Sequence, residues 1–140
     1  MEQLNKPDYQ VLQPIHEEPT RFIWKYVFST DHKVIGRQFL WTGLIFLLVG
    51  GLLAMAIRWQ WAFPGEPIPG GEAFLPETGG VIGPANYASI FTMHGLIMIF
   101  WAITPLLIGC FGNLTIPLMI GARDMSFPKL NMLSFHFFNL

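Results

Sequence analysis

Two long apolar runs, separated by a segment rich in glycine and proline, set the pattern of this chain. From Phe39 to Ile57, FLWTGLIFLLVGGLLAMAI, nineteen residues pass without a charge. As a helix they span roughly 29 Å at ~1.5 Å per residue, one bilayer crossing. Lys33 and Arg37 flank one end and Arg58 the other, with Trp41, Trp59 and Trp61 near the two interfaces, where an aromatic belt belongs. Gly50 and Ala54 form a small-xxx-small pair, which lets a second helix approach closely.

Residues 63–86, FPGEPIPGGEAFLPETGGVIGPAN, carry too many helix and strand breakers for either element and read as a loop. The second apolar run extends from about Ala88 to Ile120 and contains Pro105 and Pro117. Membrane helices tolerate proline where neighbours satisfy the freed carbonyls, so the expectation is one kinked transmembrane helix. A third apolar stretch begins after Pro128 and is too short to cross before residue 140. The fold class is therefore all-α and polytopic: helices at about 35–59 and 88–120, a connecting loop at 60–87, and the start of a third helix. Residues 1–20 are polar, hold Pro7, Pro14 and Pro19, lack the basic-then-apolar pattern of a cleavable signal peptide, and predict an irregular tail within a leading segment 1–28.

Composition sharpens this reading. Hydrophobic residues make up 52% of the chain and charged residues only 12%, which places it outside the range of soluble domains of its size. A net charge of -1 with dispersed cations leaves no basic face for nucleic acid. The single cysteine, Cys110, lies inside an apolar run and reads as a small core residue. Charge also orients the chain. Lys6, Arg21, Lys25, Lys33 and Arg37 precede the first run and Arg123 and Lys129 follow the second, whereas the loop between them sets Glu66, Glu72 and Glu77 against Arg58. By the positive-inside rule the N-terminus and the Arg123 turn are cytoplasmic, and the loop is outside.

Within the second run, FTMHGLIMIF (Phe91–Phe100) holds one histidine, His94. An imidazole in hydrocarbon needs partners, and a neutral ring offers one nitrogen to a metal and one N–H to a carbonyl. A packing histidine turned to a neighbouring helix and a metal ligand both meet that need. Gly95 beside it leaves room for something flat, and haem is a flat ligand whose iron takes axial histidine. His16, His32 and His136 all fall on the cytoplasmic side, so a second axial ligand has to come from outside these residues. From chemistry alone Arg58 is an interfacial anchor or a ligand contact, Asp124 a solvated turn residue or a proton-handling group, and Asn113 and Asn131 packing amides or members of a relay.

FSTDHKVIG (Phe28–Gly36) and MHGLIMIFWAITPLLIGCFGNLTIPLMIGARDMSFPKLNMLSF (Met93–Phe135) resemble the start of subunit I of the haem-copper terminal oxidases, most similar to the cytochrome c oxidases. Three elements, His-Gly, Phe-Gly-Asn and Gly-Ala-x-Asp-Met, fall within one 32-residue span, His94 to Met125. The resemblance implies that this is the N-terminal part of a subunit of about a dozen helices, sitting in the bacterial inner membrane and belonging to an enzyme that couples oxygen reduction to water with proton pumping. It assigns His94 as an axial ligand of a low-spin haem of the A type, and Arg58 as a hydrogen-bond donor to that haem's periphery. Asp124 becomes the cytoplasmic mouth of a proton-uptake channel lined by Asn113 and Asn131, with His32 near the entrance. Copper and the high-spin haem are implied only for the full-length subunit, so 140 residues alone are expected to be inactive. Implied partners are the other oxidase subunits, notably subunit II, with cytochrome c as donor, lipid around the helices and no nucleic acid.

This chain departs from the family pattern at His136, where a tryptophan is usual, and at Gln60, where some branches carry a glutamate near an outer metal, so no calcium is expected. Residues 63–86 are also longer than in mitochondrial relatives. Two other functions stay open. Quinol-oxidizing members carry a His and a Gln eight and five residues before the haem histidine, and an Arg and an Asp in the first helix. Asn86, Ser89, Val49 and Leu53 stand at those positions here and do not support a quinol site. The other alternative is a non-catalytic two-helix remnant or assembly partner.

Overall fold

The computed structural model describes residues 22–140, and what was expected of residues 1–21, including the irregular tail and His16, lies outside the described residues. Those described are all helical, without strands. A short helix α1 (Phe22–Tyr26) leads into α2 (His32–Ala62), the first long helix. A second long helix, α3, runs from Pro84 to Ile120, and α4 (Pro128–Asn139) follows a tight turn. Both long helices are apolar and long enough to cross a membrane, yet only 17% of each apolar window is buried. A core helix of a soluble protein would be mostly buried, so these faces are made for lipid or for further helices.

Local chemistry sets the element ends. Asp31 caps α2, its carboxylate accepting from the Lys33 N–H at 2.9 Å. Pro84 opens α3 from the first turn, where its missing N–H costs nothing. At the other end Gly121 adopts φ +68, the left-handed cap that lets the Ala122 N–H reach the Pro117 carbonyl at 2.9 Å. α2 is longer at both ends than the 35–59 expected, starting at the Asp31 cap and running on to Ala62 before the Phe63 cap. The inter-helix loop also departs from expectation. It contains two short 3-10 turns, Gly71–Ala73 and Pro76–Thr78, and is tied across its base by Ile68 N–H to Gly80 O at 3.0 Å. Gly71 and Gly80 pack so closely that a Cβ on either would lie 3.1 Å from the other's backbone or its neighbour's.

Around Pro105 α3 changes hydrogen-bond register, whereas Pro117 sits within an α-helical stretch. Residues Ile97–Ile103 and Pro105–Gly112 are π-helical, between α-helical ends Pro84–Leu96 and Asn113–Ile120. Pro105 has no N–H and its ring would press on the carbonyl four residues back; a wider i to i+5 turn relieves both. Thr104 shows the register directly, with both its backbone N–H and its hydroxyl directed at Ile99 O, the latter at 2.8 Å.

α2 and α3 pack antiparallel along a line of glycines seven residues apart. Gly36 faces Leu114, Gly43 faces Leu106 and Ala102, and Gly50 faces Met98 and Ile97. From the α3 side, Gly109 receives the ring of Phe39, and a Cβ there would lie 2.5 Å from it. Gly50 thus packs as expected, but its partners in the contact line are Gly43 and Gly36 rather than Ala54. The buried cluster, Ile35, Phe39 and Cys110, sits at the Asp31 end and is flanked by Leu40, Leu114, Met132, Phe135 and Phe138. An edge-on contact between Phe39 and Phe135, centroids 5.0 Å apart, joins α4 to this cluster.

Overpacking that line should be costly. Gly109→Ala in the full-length subunit is expected to destabilise the helix pair by ~1–3 kcal/mol, the usual cost of forcing a methyl group into a filled site. Gly112→Ala, whose Cβ meets only Ile116 Cδ1 at an ordinary 3.8 Å, should have little effect. Thermal denaturation of the two variants side by side is the check, and equal melting would refute the close-packed line.

Candidate functional site

His94 occupies the last turn of the first α-helical part of α3, half-buried against α2. Its Nδ1 lies 2.9 Å from the carbonyl oxygen of Gly50. A carbonyl only accepts, so Nδ1 carries the proton and donates, which leaves the Nε2 lone pair as the free acceptor. Backbone oxygens have two lone pairs, so a mid-helix carbonyl can take this bond and keep its helical one. Because Gly50 lies seven residues inside Ile57, the ring sits about 10 Å below that end of the apolar run.

The surroundings of His94 are bare on one side. A Cβ built at Gly51 or at Gly95 would meet nothing within 4 Å. Gly51 lies one residue round α2 from the Gly50 contact, and Arg58, seven residues on, shares its face. Arg58 is exposed, and the structure does not bring it against His94. The arrangement is a histidine with a fixed tautomer beside open space at Gly51 and Gly95, with a guanidinium two turns along α2 from Gly51.

At the opposite end of the helix pair, four polar residues are drawn into two contacts. His32, buried on the first turn of α2, has its Nδ1 2.8 Å from Asp124 Oδ1. The same carboxylate oxygen accepts the Met125 N–H at 2.8 Å. Asn113 is buried in α3, its amide donating to Gly109 O, and its Oδ1 accepts from Asn131 Nδ2 of α4 at 2.6 Å. Ser134 continues the line, its hydroxyl donating to Asn131 O at 2.7 Å. Asp124 and Asn131 both line an open cleft of about 390 Å³, together with Ser126, Ser134 and apolar side chains including Pro117 and Leu130. So the residues singled out by sequence fall into two groups at opposite ends of α2, separated by the eighteen residues from His32 to Gly50, on the order of 27 Å.

Sequence reasoning missed two parts of this. It gave Gly50 only a packing role, whereas its carbonyl orients His94; a glycine one turn-pair inside the run, opposite a histidine on the next helix, was the available signal. It placed His32 near Asp124 without pairing them, because 92 residues separate the two and only the antiparallel helix pair closes that distance. Among the described residues no cluster of three or more His, Cys, Asp or Glu side chains could hold a metal ion by itself. Any metal bound at His94 therefore takes its other ligands from a prosthetic group or from elsewhere.

The sequence that builds these two groups is similar to that of known proteins. Residues 34–140 match the family described as Cytochrome C and Quinol oxidase polypeptide I. Cytochrome c oxidase subunit 1 of Thermostichus vulcanus is 43% identical over 122 residues, 87% of this chain and 20% of that protein. Cytochrome c oxidase subunit 1 of Bacillus subtilis (strain 168) is 42% identical over 130 residues, covering 91% of this chain and 19% of that protein. A protein named Heme-copper oxidase subunit I+III, from Aeropyrum pernix, is 39% identical over 114 residues, or 81% of this chain and 12% of its own length. The chain thus spans about a fifth or less of these relatives. With the family match covering residues 34–140, which hold His94, Arg58, Asn113, Asp124 and Asn131, this chain belongs to the subunit I family of the haem-copper oxidases, membrane-embedded oxidoreductase subunits.

Proposed function

We propose that this chain forms the N-terminal part of a cytochrome c oxidase subunit I, where it supplies one axial ligand to a low-spin haem and the entrance of a proton-uptake path. The observation that carries this reading is the hydrogen bond from His94 Nδ1 to Gly50 O, which leaves Nε2 as a lone-pair donor in the apolar run. The residues fit a haem: the unobstructed positions at Gly51 and Gly95 allow a flat macrocycle to lie close to the backbone, and Arg58 stands at the outer margin to meet a polar periphery. A haem bound there supplies one-electron redox chemistry at its iron. His94 holds its ring still through the carbonyl bond, since a fixed tautomer and orientation raise ligand basicity and remove the cost of a free imidazole in lipid. Arg58 contributes positive charge and donors that a carboxylate or carbonyl substituent accepts.

At the other end, Asp124 sits at the mouth of a polar line. It is 29% exposed in its side chain, so water can reach it, and its carboxylate is oriented by His32 and the Met125 N–H. The Asn131–Asn113 pair extends polar groups from the cleft into the α2–α3–α4 junction. Amides do not titrate, but they hold water, and a water chain is what carries a proton past them. By the positive-inside rule the basic residues at this end support a cytoplasmic position for it, and the family supports a bacterial inner membrane as the setting, with protons entering from within. Cytochrome c as the donor is favoured over quinol by Asn86, Ser89, Val49 and Leu53 and by the names of the relatives above. Haem of the A type, copper and a second haem elsewhere in the subunit, and assembly with subunit II complete the proposal.

His94→Ala in the full-length subunit is expected to abolish the low-spin haem absorption, and retention of that signal would make His94 a packing residue. Arg58→Met should shift the same band without removing the haem, because a peripheral hydrogen bond tunes the macrocycle while iron ligation retains it; an unmoved band returns Arg58 to an interfacial anchor. Asp124→Asn should slow turnover and proton uptake from the inner side of sided vesicles while leaving the haem spectra unchanged. Altered spectra would make Asp124 structural, and slowed uptake from the outer side would reverse the orientation.

A further inference from the structure

The ring of His32 is buried where α2 itself cannot bury it. His32 is the first residue of that helix, and helical side chains lean toward the N-terminus, so its imidazole lies over the chain that enters the helix rather than over a turn of it. Its side chain is nevertheless only 6% exposed, against 29% for the Asp124 side chain that it meets at 2.8 Å. A second carboxylate, that of Asp31 in the entering chain, stands 3.7 Å from the same nitrogen, Nδ1. Ser29, two residues earlier, is buried as well, and its hydroxyl accepts the Asp31 N–H at 3.2 Å. The conformation of residues 27–31 therefore decides how closed the ring is.

Gln38, on the second turn of α2, holds that segment. At the end of α1 the N–H groups of Val27 and Phe28 both turn back to Ile23 O, at 2.8 and 3.1 Å, and the carbonyls of Tyr26 and Val27 lie beyond the last helical turn. The Gln38 amide donates to both of them, to Val27 O at 3.1 Å. Two acceptors fix which way the amide points, because turning it over would set its oxygen against two carbonyls. Its own Oε1 is buried and has no hydrogen-bond partner among the described residues. Gln38 thus keeps this position through what its nitrogen donates. On the other side Phe28 packs its ring 5.0 Å from that of His136 on α4. The entering chain is fastened to α2 at residues 26 and 27, to α4 at 28, and to the start of α2 through Ser29 and Asp31.

We propose that Gln38 is a positioning residue for the proton entrance: by holding the carbonyls of Tyr26 and Val27 it lays residues 27–31 over His32, so that water meets the His32–Asp124 pair at the carboxylate and the ring has no partner but Asp124 to turn to. The inference rests on the reading of Asp124 as that entrance and names a residue that acts on it without touching it. Loosening the segment admits water to the imidazole, gives Nδ1 a competing acceptor, and leaves the Asp124 carboxylate held by the Met125 N–H alone.

The test uses the assembled complex and diethyl pyrocarbonate, which acylates unprotonated histidine nitrogens, with modification read residue by residue by mass spectrometry. In the unaltered complex His32 should be spared; its free modification would overturn the cover and requires no variant. Gln38→Met, close in size but without an N–H, should raise the rate of His32 modification roughly tenfold, the scale of losing two neutral hydrogen bonds. Turnover and proton uptake should slow several-fold in that variant, with KM for the reduced donor and the haem spectra unchanged. Gln38→His returns one ring N–H near the place of the lost amide nitrogen and should recover part of both effects. Gln38→Met indistinguishable from the unaltered complex, or Gln38→His no better than Gln38→Met, would overturn the inference by reducing Gln38 to a space-filling residue. Ordinary uptake in Asp124→Asn would instead remove the entrance itself, whatever Gln38 does.

Discussion

The close approach of α2 and α3 governs the rest of the structure. In hydrocarbon no hydrophobic gain drives two apolar helices together, so association rests on surface fit and on the polar contacts that fit allows. Gly36, Gly43 and Gly50, seven residues apart, give α2 one flat side, and the side chains of Leu114, Leu106 and Met98 occupy it. Phe39 makes the reverse contact, lying over Gly109. A seven-residue repeat matches the left-handed, shallow crossing typical of membrane bundles, in which the same face stays turned to the partner over several turns.

That approach also solves the polar problem at each end. Nδ1 of His94 can reach a main-chain oxygen only because the α2 backbone at Gly50 carries no side chain to keep α3 away. At the basic end the same helix pair brings His32 against Asp124, and α4, docked through Phe39 and Phe135, sets Asn131 against Asn113. Each contact joins separate elements, two helices or, for His32 and Asp124, α2 and the turn between α3 and α4. Truncating Asp124 or Asn131 would strip the buried His32 or Asn113 of that hydrogen bond, at a cost of ~1–3 kcal/mol in addition to any functional loss.

Much of this was legible in the chain. Charge-free length gave the two spans, and an isolated histidine in one of them required two polar partners, a requirement the structure meets for one nitrogen through Gly50. The motifs from His94 to Met125 carried the family, which the match over residues 34–140 bears out. Less visible was anything set by register between helices. A proline in a membrane run reads as a kink, but whether strain is released by bending or by π-turns depends on the carbonyls around Pro105, which no one-dimensional pattern contains. Gly50 and Ala54 looked like a pair because four-residue spacing is the local rule, whereas the contact line follows the seven-residue period of two helices winding together. The short helix at Phe22–Tyr26 had no apolar periodicity long enough to announce it and exists through Gln38 and Phe28.

Packing and chemistry are therefore one constraint at Gly50. A side chain there would force a shift, since a Cβ would already lie 2.6 Å from the Met98 sulfur, and either that side chain turns away or the helices part. Relief by helix separation would lengthen the His94–Gly50 bond, and the ring would lose the acceptor that fixes its tautomer. The imidazole could then protonate either nitrogen or turn toward another acceptor, and the lone pair at Nε2 would no longer be directed by the fold. A residue with no functional group of its own thus determines which nitrogen of His94 is available, because in a membrane the backbone is the nearest polar surface and glycine is the residue that exposes it.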